Sequence, residues 1–266
     1  MKRIGQILYV ALILLFLYAP IFTLVLYSFV DTPIVSIKQA FEVGFSFELY
    51  KQLFADAGLM KIVWDTLILA VVAAVLATIL GTLGALGIHY SRGKFGKGVS
   101  MASRIPVINA EIVTAVALVL LFALVFRESR SYFSMVIGHL IITTPFVVLS
   151  VMPKLKQLDP NMYEAALDLG ASPFGALIKV IIPEILPGIL SGFMLSITLS
   201  LDDYIISAYT KPAGFDTIST YVYGAMQKSN ANSSLPALRA LSAIIFIVII
   251  LIVVAKNIYS RRKGAK

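Results

Sequence analysis

Apolar residues run through this chain in six long blocks, separated by stretches that hold most of the charge. The blocks lie near Ile7–Phe29, Thr66–Ile88, Ile105–Phe126, Phe133–Met152, Ile185–Ala208 and Leu238–Ile258. Each approaches the roughly 20 helical residues needed to cross a hydrocarbon core. The pattern predicts an all-α integral membrane protein with six transmembrane helices. Lys2 and Arg3 precede the first block, as in a cleavable signal, but the block is too long and lacks a small-x-small site before Asp31. It is expected to be an uncleaved span.

Two blocks carry small residues at every fourth position: Ala73, Ala77, Gly81 and Ala85 in the second, and Gly188, Gly192, Ser196 and Ser200 in the fifth. Such stripes let helix backbones approach closely, so both helices are expected to face protein. Between the first two blocks, "SFELYKQLF" places Phe47, Leu49, Tyr50, Leu53 and Phe54 at the spacing of a short amphipathic helix. The stretch from Thr210 to Pro236 is rich in Gly, Pro, Ser and Asn and is expected to be mostly irregular.

Composition agrees with the membrane reading: 59% of the 266 residues are hydrophobic and only 14% are charged. Cysteine is absent, which excludes disulfides, thiolate metal sites and thiol nucleophiles. The basic residues set orientation. Lys2 and Arg3, then Arg92, Lys94, Lys97 and Arg104, then Lys154, Lys156 and Lys179, and finally Lys256, Arg261, Arg262, Lys263 and Lys266 all fall on one side of a six-span chain. Placing that side inward puts both termini in the cytoplasm. The net charge of +8 is then explained by an anionic leaflet rather than by nucleic acid.

Candidate chemistry lies where acids interrupt the apolar blocks. "ILSGFMLSITLSLDDYIISAY" contains Asp202 and Asp203. On a continuous helix turning about 100° per residue, Asp203 follows the centre of the Gly188–Ser200 stripe and Asp202 lies to one side. A carboxylate inside a bilayer costs about 2.5–3.5 kcal/mol and marks a substrate route, a proton relay or a buried pair. The alternative is that both sit at the outer end of the span, solvated or paired with Lys211. Glu111 follows "RIPVINA", where Pro106 and Asn109 predict a kink or break. Asp65 stands beside Trp64 at the start of the second block. No basic residue lies within the third or fifth block, so the missing charge would come from a cationic cargo, from Arg104 or from a partner subunit. Tyr204, Trp64 and Phe193 could add cation–π faces.

Enzyme classes find few parts. "GKFGKG" has neither the spacing nor the Ser/Thr of a phosphate-binding loop. An aspartyl protease needs two carboxylates sharing a proton, and neighbours on one helix diverge; only Asp203 with Glu111 could meet. His89 and His139 are too few for a histidine metal site and are expected at a helix end and in a buried hydrogen bond.

The segment "MYEAALDLGASPFGALIKVIIPEILPG" has Glu164-Ala165-Ala166, Gly170 and Val180-x-Ile182-Pro183 at set spacing. It resembles the EAA loop of permease subunits of binding-protein-dependent ABC importers, with Val180 and Ile182 as conservative departures. A helix, a sharp turn at Gly170 and a second helix broken by Pro183 and Pro187 are expected here. "LSLDDYIISAYTKP", "AEIVTAVALVLLF" and "SFELYKQLF" extend the resemblance over nearly the whole chain, to the second permease subunit of spermidine/putrescine systems. Ferric and sulfate-type permeases are similar around the Asp-Asp pair.

The resemblance implies a type I ABC importer permease (MetI-like) fold, a single domain over 1–266, and a cytoplasmic coupling loop about 153–184. Glu164, Ala165, Ala166, Gly170 and Pro183 would dock it on an ATPase. Asp203, Asp202, Glu111, Tyr204, Trp64 and Asp65 would line the polyamine route. It also implies a bacterial inner-membrane location, a second homologous permease, two ATPase subunits that bind ATP and Mg, and an extracytoplasmic polyamine-binding protein. No cofactor is expected in this chain. An ATP-independent channel or secondary transporter is the other class considered.

Overall fold

The computed structural model describes residues 2–30, 44–91, 94–103, 105–127, 130–227, 238–247 and 250. Helices account for nearly all of them, and no strand occurs among the described residues. In chain order they are α1 (Lys2–Tyr27), α2 (Glu48–Ala55), α3 (Ala57–Tyr90), α4 (Lys94–Ala102), α5 (Ile105–Ile108), α6 (Glu111–Phe126), α7 (Tyr132–Gln157), α8 (Met162–Asp168) and α9 (Pro173–Ala176). A π turn over Leu177–Ile181 leads into α10 (Ile182–Asp202), followed by α11 (Ile205–Thr210), α12 (Ile218–Gln227) and α13 (Leu238–Ile247).

Among the described residues, four helices are long and apolar enough to cross a membrane: Gly5–Tyr27, α3, α7 and the run Pro173–Asp202. Gly98–Ile108 and α6 make a fifth candidate, bent by 107°. The bend falls where Pro106 and Asn109 predicted one, with Ala110 extended at ψ 133°. The sixth block overlaps α13, and most of its remainder lies outside the described residues.

The described residues fall into two units, one drawn from Met1–Lys61 and Val222–Lys266 and one from Ile62–Tyr221. In the first, α1 is apolar on every side, and all its residues from Gly5 to Pro20 are exposed. Such a helix is covered by lipid or by another chain. The amphipathic helix at "SFELYKQLF" forms as expected, burying Leu49 and Leu53. Phe29 receives it: its ring lies 5.6 Å from that of Phe47 and 5.4 Å from that of Tyr50, and the Tyr50 and Ser28 hydroxyls are 2.7 Å apart.

The second unit is organised around α7. Its first turn is closed by a reciprocal pair: Ser134 donates its N–H to Ser131 Oγ (3.1 Å), and Ser131 donates its N–H to Ser134 Oγ (2.9 Å). Ser131→Ala should lower stability by about 1 kcal/mol, measurable as an earlier thermal unfolding transition in detergent. Further along, Val147, Val148, Val151 and Leu155 form a core with Ala77, Ala85 and Leu86 of α3 and Ile185 of α10. Both small-residue stripes serve this core. A Cβ on Gly192 would come within 3.1 Å of the Val147 backbone, and one on Gly188 within 3.0 Å of the Ser150 carbonyl. Lipid tails are as apolar as leucine, so helix association rests on such close packing.

Several boundaries differ from the sequence expectation. α3 begins at Ala57, well before Thr66, where the second apolar block starts in the sequence. The segment read as irregular contains α12, started by Thr217 and Thr220, whose N–H groups and hydroxyls bond each other reciprocally at 2.9 and 3.3 Å. Pro183 and Pro187 do not break the second helix of the loop. Pro183 stands in the first turn of α10, where a missing N–H costs little. Ile182 donates to the Leu177 carbonyl, a five-residue step that widens the turn just before Pro183. Pro187 is carried within α10, held by packing against α7.

Candidate functional site

The fifth block is not one helix. α10 ends at Asp202, Asp203 is extended with ψ 122°, and α11 restarts at Ile205. The phase argument that aligned Asp203 with the small-residue stripe therefore stops one residue short of it.

A break inside a membrane protein must satisfy its own backbone groups, because lipid offers none. Asp203 does most of this. Its carboxylate accepts the N–H of Ile206 (3.2 Å) and of Ser207 (2.8 Å), capping α11, and its carbonyl accepts the Ser219 hydroxyl at 2.6 Å. His139 of α7 reaches both sides of the break. Its Nδ1 lies 2.8 Å from Ser200 Oγ on α10, and its Nε2 lies 3.0 Å from Ser207 Oγ on α11 and 3.6 Å from Asp203 Oδ2. All four side chains are buried. Above them, Ile206 fits over Gly138, where a Cβ would overlap it, and packs with Ala115, Leu118 and Phe122 of α6. Ser134 donates to the Thr210 carbonyl and closes the far end.

The other predicted route residues are not gathered into this cluster. Asp202 is exposed in the last turn of α10, and Tyr204 is half-buried in the break. Glu111 is exposed as the first residue of α6, seven residues and so about 10 Å along the axis from Leu118, which touches the Gly138 position. Trp64 is exposed and Asp65 half-buried on α3, and Phe193 is half-buried on α10. Among the described residues, neither Asp202 nor Glu111 forms an ion pair, and Lys211 pairs with Asp216 instead. His139 is in a buried hydrogen bond and His89 is at a helix end, as expected. Ser200, Ser207 and Ser219 were missed; the available signal was a hydroxyl every few residues around an acid pair.

The second candidate region is the turn between α8 and α9. Gly170 has φ +86° and follows the last turn of α8. The Gly170 N–H reaches the Leu167 carbonyl (2.9 Å) and the Ala171 N–H reaches that of Ala166 (3.0 Å), the paired bonds that end a helix on a left-handed residue. Ser172 then caps α9 by accepting the Gly175 N–H at 3.1 Å. Ala166 and Ala176 are buried, Glu164 and Ala165 are exposed, and the Tyr163 ring lies 5.1 Å from that of Tyr90, tilted at 44°, at the end of α3. Leu169 is 90% exposed and Phe174 73% exposed, so the turn presents apolar side chains that the described residues leave largely uncovered.

Residues 111–263 match the family described as binding-protein-dependent transport system inner membrane component. The chain is 31% identical to the putrescine transport system permease protein PotI of Escherichia coli (strain K12), over 85% of this chain and 81% of that one. It is also 31% identical to the spermidine/putrescine transport system permease protein PotC of the same organism (93% and 90%) and of Haemophilus influenzae (94% and 93%). A bacterial ABC transporter involved in importing the acidic polysaccharide alginate has the same fold, with a TM-score of 0.71 at 19% identity, covering 98% of this chain and 96% of that one. With its apolar spans, its EAA-type turn and this match over most of its length, the chain belongs to the family of inner-membrane permease components of binding-protein-dependent ABC transporters.

Proposed function

We propose that this permease imports polyamines of the spermidine/putrescine class, powered by a separate ATPase. The similarity to putrescine and spermidine/putrescine permeases over more than four fifths of the chain carries this reading. The chemistry supports it. A polyamine presents spaced ammonium groups on a methylene chain, and Asp202 and Glu111 are exposed carboxylates that no cation of the described chain neutralises. Tyr204, two residues from Asp202, and the exposed Trp64 next to Asp65 offer aromatic surface for the methylene and ammonium groups.

The working assembly is this chain with a second homologous permease, two ATPase subunits that bind ATP and Mg, and an extracytoplasmic polyamine-binding protein. The chain acts as one transmembrane domain with both termini in the cytoplasm and no cofactor of its own. Leu169 and Phe174 dock the α8–α9 turn on the ATPase, held in shape by Gly170 and the small Ala166. From Pro173 to Asp202 the chain is one helical run of 30 residues, about 45 Å long, so displacement of the turn by nucleotide-driven closure reaches the break at Asp203 directly.

ATP-driven uptake of labelled spermidine and putrescine into vesicles holding the assembled complex tests the reading. Uptake should require ATP and the binding protein. A complex that takes up neither polyamine, while its ATPase responds to a ferric or sulfate-type binding protein, would overturn the cargo assignment. Uptake without any ATPase would replace the importer by a channel.

A further inference from the structure

The two adjacent carboxylates of the fifth span do different work. Both oxygens of Asp203 are engaged by backbone N–H groups of α11, its carbonyl is taken by Ser219, and its side chain is 2% exposed. Asp202, one residue earlier, is exposed and without an ion-pair partner among the described residues. Lipid rejects an unpaired carboxylate, so Asp202 faces water, at the span end or in a cavity, or a neighbouring chain. What separates the two is the break, and His139 holds the break from outside it. The imidazole is bonded both to α10, through Ser200, and to α11, through Ser207. A single ring donating and accepting across 2.8 and 3.0 Å fixes the angle between the helix pieces and hence the direction of Asp202 and Tyr204.

We propose that His139 is a positioning residue of the transport route: with Asp203 it latches the broken fifth span, so that Asp202 and not Asp203 meets the cationic cargo. This rests on the polyamine-import reading for the cargo and on geometry alone for the latch. The two parts are tested separately.

The latch is tested without cargo, by thermal unfolding of the purified complex in detergent. His139→Ala, Asp203→Asn and Ser207→Ala should each lower the transition. Asp203→Asn loses one of two backbone acceptors, because an amide NH2 replaces an oxygen facing an N–H. The His139→Ala and Ser207→Ala effects should be less than additive when combined, since they remove the same bond. Additive effects would overturn the latch. His139→Gln, which can still donate and accept, should recover part of the loss; a glutamine no better than alanine would also count against it.

The cargo part is read in the uptake assay. Asp202→Asn should raise the KM for spermidine by about tenfold or more with assembly and thermal transition unchanged. Asp203→Asn should lower the maximal rate while leaving KM near wild type. The reverse pattern, a raised KM in Asp203→Asn at unchanged stability, would assign the cargo contact to Asp203 and overturn the proposal. If the wild-type complex transports no polyamine, the cargo reading fails, and the unfolding cycle still decides the latch.

Discussion

Replacing Gly170 by aspartate is expected to abolish binding-protein-stimulated ATP hydrolysis and uptake, while the chain still inserts and assembles its spans. Gly170 sits at φ +86°, a backbone state that costs a residue with a Cβ about 1–2 kcal/mol. Among the described residues, nothing beyond its chain neighbours lies within 4 Å of the position a Cβ would take, so the penalty is conformational rather than steric. That is too small to unfold helices packed over their length. It is large for a turn whose shape rests on two backbone bonds and a serine cap. The turn sets where Leu169 and Phe174 point, and buried apolar anchors of that kind carry about 2–4 kcal/mol each in an interface. An aspartate between them also brings a charge into a surface meant to lose its water. Together these predict a fall in uptake on the order of a hundredfold. Gly170→Ala, which strains the backbone without adding charge, should fall between wild type and Gly170→Asp. Membrane fractionation separates failed coupling from failed insertion, and normal ATP-driven uptake by Gly170→Asp would remove the docking role of the turn.

A large stability effect is expected at Gly81. A Cβ there would lie 2.6 Å from Val147 Cβ, 2.7 Å from Val147 Cγ1 and 3.1 Å from the Thr144 carbonyl. Contacts that short cannot be relieved by rotating a flexible side chain, because two of the atoms belong to a β-branched residue and its packed helix. Gly81→Ala should destabilise by about 1–3 kcal/mol, and Gly81→Leu by more, as α3 is pushed off α7. Val147 is the test of this account. Val147→Ala removes Cγ1 but keeps Cβ, so it should rescue Gly81→Ala weakly. Val147→Gly removes both and should rescue it more fully, although a helical glycine costs about 1 kcal/mol by itself. Thermal unfolding of the four combinations gives the coupling. Strict additivity would mean that the close approach at Gly81 is not what orders the pair.

Stripe, turn and amphipathic helix were legible because each is a local pattern. Ala73 to Ala85 and Gly188 to Ser200 announce close packing by spacing alone, and Gly170 announces a helix end by its freedom at positive φ. The break at Asp203 was not legible. "SLDDYIIS" holds no proline or glycine, and the groups that support the break stand far away in sequence. His139 is 61 residues from Ser200 and 68 from Ser207, and Ser219 is 16 residues beyond Asp203. The opposite error arose at Pro187, a local helix breaker kept inside α10 because α7 packs along it. In both places tertiary contacts overrode the nearest-neighbour signal.

The π turn over Leu177–Ile181 has a consequence for length variation. Such a turn holds one residue more than the α-helical turn it replaces, while the helix on either side keeps its phase. Losing a single residue within 177–181 would turn the wide step into an ordinary one and leave Phe174 and the Gly188–Ser200 stripe in nearly the same relative orientation. The same loss anywhere in 188–200 would swing everything before it by about 100° relative to α7. Shortening by one residue should thus be tolerated at the foot of this long helix and nowhere along its packed face.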